Sequence, residues 1–338
     1  MNQPIKENNR NLTKMYSQVG VSISRGNNSV KKIKKYVEKT YNHNVLSKHG
    51  DFSGMYKLGK YTLVSSIDGV GTKTKFVTNV LKEQGYRNLG KDLVNHLTND
   101  ILVQGAYPLF FLDYFGTSYL KEEEITNFIK GISDSCTLNN NIPLMGGETA
   151  EMPLIYQENT TDLVGCMFGL KDSRFSDFMS TKHNQYRLMH YDDILVGLPS
   201  VGPHTNGYSL INNIVKNNGL PNDKDIIYPL LEPHKSYLHE IEEFTNIFGH
   251  DQIKAMCHVT GGGILDNLKR VIPKHFQINL DIDSLYLPKW CQYIMNTGNV
   301  TLEEMQQVYN CGIGFVIVVS PQVFDKMYQL SFSFTKIG

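Results

Sequence analysis

Gly146-Gly147-Glu148-Thr149-Ala150-Glu151-Met152-Pro153 is the most informative stretch of this chain. Two adjacent glycines let backbone approach a ligand closely, two carboxylates three residues apart follow, and a proline closes the segment. A core has little use for one large apolar side chain beside two charges that would have to be desolvated. A site that handles a polyanion through metal ions or hydrogen bonds can use all of it. The plainer reading is a surface turn with solvated glutamates, and the rest of the chain has to decide between the two.

Working outward, Asn141-Ile142-Pro143-Leu144-Met145 leads into this segment and Leu163 to Leu170 reads as a strand after it. Before it, Glu122 to Cys136 reads as a helix with Ile125, Phe128, Ile129 and Ile132 facing inward. Residues 109–115 form a strongly apolar strand, and 89–104 a helix in which Leu89, Leu93, Leu97 and Ile101 recur every four residues. A strand over 61–67 runs into Asp68-Gly69-Val70-Gly71-Thr72-Lys73, and residues 1–50 are polar with one helix near 28–40. Periodicity is lost over 171–192. We therefore divide the chain into an N-terminal domain, 1–171, and a C-terminal domain, 172–338. The second opens with a strand at 194–198, carries helices near 208–217, 234–247 and 264–271, and has strands near 276–281 and 313–319. Strands and helices mix without regular βαβ alternation, which points to an α+β (mixed α/β) fold of mixed sheets covered by helices.

Lys+Arg and Asp+Glu both number 33, so no global field favours nucleic acid or a membrane surface. The charge run Lys31-Lys32-Ile33-Lys34-Lys35 reads as a solvated helix face before an anion contact. Five scattered cysteines without a CxxC pair argue against both a disulfide framework and a zinc site. The polar N-terminus has no apolar signal core, and no segment approaches the ~20 apolar residues of a membrane span. A cytoplasmic protein is the default expectation.

Asp68-Gly69-Val70-Gly71-Thr72-Lys73 is not a P-loop, because Thr72 separates Gly71 from Lys73, yet it offers a carboxylate, two glycines, a hydroxyl and a cation. Asp68 reads equally as a metal-binding carboxylate and as a turn residue bonding its own backbone. On the 89–104 helix, Asp92, His96, Asn99 and Asp100 share one face opposite the leucines. Asp92 and Asp100 stand ~12 Å apart along the axis, so a small cation cannot use both, and Asp100 is the better magnesium candidate. The competing reading is an amphipathic helix with a wet polar face. In His258-Val259-Thr260-Gly261-Gly262-Gly263, three glycines precede a helix N-terminus suited to a phosphate, with His258 beside them as a contact or a packed residue. Gly202-Pro203-His204-Thr205-Asn206-Gly207-Tyr208 repeats that mixture, or is simply a loop turning at Asn206-Gly207. Cys311, in Asn310-Cys311-Gly312-Ile313-Gly314, reads as a buried thiol.

In one order, SIDGVGTK, DLVNHLTND with VQGAYPLFFLDYF, GGETAEMP, GPHTNGYSL, HVTGGG and NCGIGF closely resemble the AIR synthetase family, the phosphoribosylformylglycinamidine cyclo-ligases of purine synthesis. The likeness runs from about Tyr16 to Gly338. It implies ATP-dependent ring closure of formylglycinamidine ribonucleotide to 5-aminoimidazole ribonucleotide through an iminophosphate, releasing ADP and phosphate. It implies Mg2+ with ATP, with K+ as a further candidate ion. Asp68 and Asp100 would hold Mg-ATP, and Lys34, Gly69, Gly71, Thr72, Lys73, Asn99, Gly146, Gly147, Gly261, Gly262 and Gly263 would contact nucleotide. Glu148 and Glu151 would border the site, and His204 and His258 would lie near substrate or phosphate. A homodimer in which the N-terminal sheets of two subunits pair into a barrel is also implied. The chain departs from the family pattern at Ser22 and Ser24, where aspartates are common, and at Gly50-Asp51-Phe52-Ser53-Gly54, where a more glycine-rich loop is usual. Asn95-His96 replaces small or apolar residues, 171–192 is longer than usual, and Lys336-Ile337-Gly338 falls short of the family's last strand, which would expose an edge unless that tail is dispensable.

Overall fold

The computed structural model describes residues 14–175, 189–281 and 286–338. The polar N-terminus and most of the aperiodic stretch (176–188) lie outside the described residues. The N-terminal half runs α1 (Lys14–Gln18), α2 (Ile23–Glu38), β1 (Gly54–Leu58), β2 (Tyr61–Gly69), α3 (Lys73–Leu81), α4 (Gly85–Leu102), β3 (Ala106–Thr117), α5 (Glu122–Leu138), β4 (Leu144–Glu151) and β5 (Thr161–Lys171). Its sheet has the order β1-β2-β5-β3-β4, antiparallel except where β4 runs parallel to β3. The glycine–glutamate segment is therefore a strand at the sheet's edge, not a turn.

The C-terminal half runs β6 (Ile194–Pro199), α6 (Tyr208–Asn218), α7 (Lys224–Leu231), α8 (Leu238–Phe248), β7 (Ala255–His258), α9 (Gly263–Val271), α10 (Lys289–Gly298), α11 (Leu302–Val308), β8 (Ile313–Val319), α12 (Pro321–Phe324) and β9 (Thr335–Lys336). Its described pairings, in the order β7-β8-β6-β9, are antiparallel. The strand expected over 276–281 does not form. That segment is irregular, and Asp281 N–H donates to the Ile337 carbonyl. The chain end does not leave β6 bare: β9 pairs with it, Ile337 N–H donates to the Leu195 carbonyl, and Leu195 N–H donates to that of Gly338.

The leucine stripe of α4 does what its spacing predicts. Leu89, Leu93, Leu97 and Ile101 are buried against Phe111, Phe115, Leu163 and Met167 on the inner face of the five-stranded sheet. Each such side chain contributes about 1.5–3 kcal/mol, and Leu97→Ala would remove about 2–5 kcal/mol because its surroundings relax only in part. α5 packs against α4 at two glycines: a Cβ on Gly131 would fall 2.0 Å from the Arg87 carbonyl oxygen, and one on Gly90 2.3 Å from that of Phe128. One sheet is built from β1 to β5 and the other from β6 to β9, but the cores cross that division. Tyr208, Ile211, Leu230, Trp290 and Met305 join the N-terminal core, while Phe52, Leu102 and Phe175 join the C-terminal one. The halves thus meet along a packed seam, and α4 lies in it.

Candidate active site at the seam

The polar face of α4 is not wet. Asp92, His96, Asn99 and Asp100 are all buried, because loops of the C-terminal half cover them. Asn99 is consumed in that covering: its amide donates to the Lys235 carbonyl at 2.8 Å and accepts from Tyr237 N–H at 2.9 Å. With both ends so engaged, it is a fastener for residues 235–237, not the nucleotide contact expected. Asn95 likewise donates to the His234 carbonyl at 2.6 Å.

Lys73 is a second correction. Its ammonium is fully enclosed, 2.7 Å from Asp92 Oδ1 and 2.7 Å from the Glu232 carbonyl. Asp92 Oδ1 also accepts the His234 N–H at 2.7 Å. Burial pulls Lys73 down and Asp92 up in pKa, and their mutual attraction opposes both. The lysine therefore ties α3, α4 and the α7–α8 loop together and presents no charge to a nucleotide.

Asp68 and Asp100 do come together. With His96 between them, they offer ligand atoms all within 4.8 Å of one another. Asp68, at the end of β2, bonds its own backbone and also faces the group. Its Oδ1 accepts the Gly69 N–H at 2.7 Å, as in a turn, while Oδ2 lies 3.2 Å from His96 Nε2. Its side chain is 52% exposed and forms the open side of the group, whereas Asp100 is buried. Asp100 Oδ2 accepts from Ser66 Oγ at 2.9 Å, and Oδ1 lies 2.8 Å from His258 Nδ1.

Four histidines from separate segments line the same seam: His96 on α4, His204 after β6, His234 between α7 and α8, and His258 at the end of β7. His234 Nε2 and His258 Nε2 are 2.8 Å apart, and the His204 ring lies 3.8 Å from that of His234. Burial opposes charge on His96, but the Asp100 carboxylate, with the hydrogen bond His96 donates to Asp68, outweighs it and pushes the imidazole up to about 9. Burial raises Asp68, yet His96 holds it below the usual carboxylate range. Burial keeps His258 down in spite of Asp100, and keeps His204 and His234 well below the ordinary value. His204 sits in the left-handed region (φ 59°) and behind His234, where a Cβ on Gly314 would come within 2.3 Å of its ring.

The glycine-bearing turns converge here. Thr72 Oγ1 lies 3.0 Å from Ser209 Oγ, and Asn212 donates to the Thr72 carbonyl at 3.0 Å, so the turn at Gly69–Thr72 abuts the start of α6. Asn206 Oδ1 approaches Gly261, and Asn267 donates to the carbonyls of Thr260, Gly261 and Gly263. Gly263 is demanded by packing, since a Cβ there would fall 1.7 Å from the Gln306 carbonyl oxygen. Ser53 Oγ donates to the Asp100 carbonyl, and Arg270 stacks 3.6 Å over Phe52, so the Gly50–Gly54 loop closes one flank.

Two expected groups lie elsewhere in the single chain. Gly146, Gly147 and Glu148 are on β4, and Glu148 pairs in register with Tyr114 on the sheet face turned away from α4. Gly147 opposes Asp113, which pairs with Gly165, which pairs with Asp68, so three strand spacings of ~4.8 Å intervene. Glu151 accepts the Leu120 N–H at 2.8 Å near the start of α5. Lys34 is exposed on α2 and pairs with Glu38 at 3.6 Å. In the other direction, His234 carried no sequence signal: Glu232-Pro233-His234-Lys235 resembles no motif, and its place depends on a non-local fold.

The model of "AIR synthase related protein, N-terminal domain" matches residues 50–170, and that of "AIR synthase related protein, C-terminal domain" matches residues 191–331. The chain is 38% identical to a phosphoribosylformylglycinamidine cyclo-ligase of Nitratidesulfovibrio vulgaris, over 93% of this chain and 89% of the relative. It is 40% identical to the enzyme of the same name from Xylella fastidiosa, over 90% and 86%. Among solved structures, AaThiL complexed with AMPPCP and TMP shares the fold with a TM-score of 0.63 at 12% identity, covering 94% of this chain and 92% of that one.

Proposed function

Since this chain belongs to the AIR synthase related family, we propose that it catalyses the cyclo-ligase reaction for which its relatives are named: ATP-dependent closure of formylglycinamidine ribonucleotide to 5-aminoimidazole ribonucleotide. ATP phosphorylates the formamide oxygen, the amidine nitrogen attacks the resulting iminophosphate carbon, and phosphate leaves with the former oxygen. The observation that carries this reading is the meeting of Asp68 and Asp100, 32 positions apart, where three glycine-bearing turns converge. Such chemistry needs positioning and charge neutralisation more than a covalent nucleophile, and among the described residues the seam offers oxygen donors and backbone amides, with no thiol in the group.

The donor set fits magnesium, because Asp68 and Asp100 supply carboxylate oxygens and substrate phosphates complete the shell of such a hard ion. Bound there, magnesium would neutralise triphosphate charge. His96 is then the competing cation of the same carboxylates and has to give up its contact with Asp68. His258 donates Nδ1–H to Asp100 and fixes the orientation of that carboxylate. The turns at Gly69–Thr72 and Gly261–Gly263 present amides to phosphate oxygens.

We also propose a homodimer. The sheet face away from α4 carries Leu63, Ile67, Phe110, Leu112, Tyr114, Val164, Cys166 and Phe168, and Ile67 is 70% exposed. A second copy on this face would cover it together with Glu148. Light scattering that reports a monomer at micromolar concentration would contradict this.

The test of function is ADP release with and without formylglycinamidine ribonucleotide. Release is expected to depend on that substrate and to fall at least ~100-fold in Asp100→Asn, the scale of removing one group that stabilises developing charge. ATP binding without substrate-dependent release would sink the proposal, and full activity in the variant would sink the metal assignment.

A further inference from the structure

The seam holds more imidazole than the ring-closing chemistry uses. His96, His234 and His258 are all buried and each offers a nitrogen within 4.8 Å of the other two. Their rings stand 4.9 Å apart pairwise. A merely packed trio would satisfy all its nitrogens by hydrogen bonding, but this one leaves an enclosed nitrogen without a partner. Among the three rings the single mutual bond joins His234 Nε2 to His258 Nε2 at 2.8 Å, and His234 Nδ1 is enclosed without a partner. Outside the trio, His96 Nε2 faces Asp68 Oδ2 at 3.2 Å. His258 Nδ1 meets Asp100 Oδ1 at 2.8 Å, and His96 Nδ1 meets Thr205 Oγ1 at 3.0 Å. These leave Nε2 of His258 turned toward the trio, while Nε2 of His96 would exchange its Asp68 contact for an ion. A carboxylate fixing one imidazole nitrogen so that the other can ligate is how proteins orient metal-bound histidines. The backbone of His234 is itself pinned, its N–H on Asp92 and its carbonyl on Asn95.

We propose that His96, His234 and His258 bind one divalent transition-metal ion of the zinc class, through nitrogen, at the seam. Three imidazoles suit zinc, cobalt, nickel or copper and are poor ligands for magnesium, which prefers the carboxylate oxygens of Asp68 and Asp100. Two nitrogens on one tetrahedral zinc stand about 3.3 Å apart at ordinary bond lengths, so loading parts His234 and His258 by roughly half an ångström. His96 belongs to both groups, and the half-exposed Asp68 beside it marks the side from which an ion enters. The site does not depend on the reaction proposed above, and its test uses no turnover.

The experiment is a titration of the chelator-stripped full chain with Co2+ alone, in millimolar Mg2+, followed by visible absorption and by equilibrium dialysis. The expected result is one Co2+ per chain at micromolar concentration, with the intense bands of four- or five-coordinate cobalt, no thiolate charge-transfer band, and displacement by Zn2+. His96→Gln and His234→Gln should each weaken uptake at least tenfold, while His239→Gln, at an exposed histidine, should leave it unchanged. The wild-type titration decides even if a variant fails to fold: no uptake at micromolar Co2+ overturns the proposal. A thiolate band would move the ion to the cysteines, and equal uptake in both seam variants would move it elsewhere on the chain. Either result overturns the proposal as well.

Discussion

The polar face of α4 and the edge strand β4 make an instructive pair. Both are written in charged and polar residues, and both read first as solvated surface. On α4 that reading fails, because Asp92, His96, Asn99 and Asp100 are all enclosed and each bonds to a residue of the C-terminal half or to a neighbour of one. On β4 it holds for the single chain, where Gly146, Gly147, Glu148 and Thr149 are exposed. The more distinctive motif thus lies on the emptier surface, and the ordinary-looking amphipathic helix carries the proposed site. What covers a polar face is decided by parts of the chain more than 100 residues away, as with His234 on Asp92.

Substitutions can break or sharpen this contrast. The largest effect is expected from Lys73→Met, which leaves Asp92 buried without its cation and should cost about 3–5 kcal/mol in urea denaturation. Adding Asp92→Leu should restore most of that loss, and a single variant as stable as wild type would show that the enclosed face matters no more than the open one. Next in size, Ile67→Lys on the open sheet face should weaken self-association at least tenfold by analytical ultracentrifugation, with the monomer still folded. An unchanged dimer would place the interface elsewhere.

Asp113 gives a smaller effect with a definite sign. It lies between the two regions, and burial pushes its carboxyl up to about 6. The folded chain therefore binds a proton between pH 4 and 6 that the unfolded chain has lost, so this group's contribution to stability falls as pH rises through that window. Asp113→Asn should remove that decline and, after allowance for partial exposure, gain about 1 kcal/mol at pH 7 and nothing near pH 4. Equal melting shifts at both pH values would refute the assignment. Smallest of all, Glu148→Gln should change chain stability by less than about 0.5 kcal/mol, and a larger loss would mean that β4 is less open than it looks.

The period-four leucines made α4 legible, and short runs of strand-forming residues made β2, β3 and β5 legible, because both patterns are set by local geometry. Asp68 and Asp100 could be chosen as partners because residue type and position at element ends are visible in a sequence. β4 was not legible, since a strand of glycines and short polar residues owes its form to its parallel pairing with β3 and not to its own propensity. The helices α7, α10 and α11 were missed for a related reason: they are short, α7 contains Pro229, and they are held by packing on one another and on α6 and α9. Lys73 and Asn99 were misread because a side chain that suits a phosphate also suits a buried carboxylate or a backbone fastening. Only the covering loop at 232–237 distinguishes the two.

The central claim is that Asp68 and Asp100 jointly hold the metal of a bound triphosphate. Electron paramagnetic resonance of Mn2+ with ATP tests it most directly, because the signal of free manganese is lost as the protein binds the complex. Wild type should take up Mn-ATP saturably, and Asp68→Asn and Asp100→Asn should each weaken that uptake at least ~tenfold, a loss of about 1.4 kcal/mol or more. If both variants bind Mn-ATP as tightly as wild type does, the seam is not where the nucleotide's metal sits.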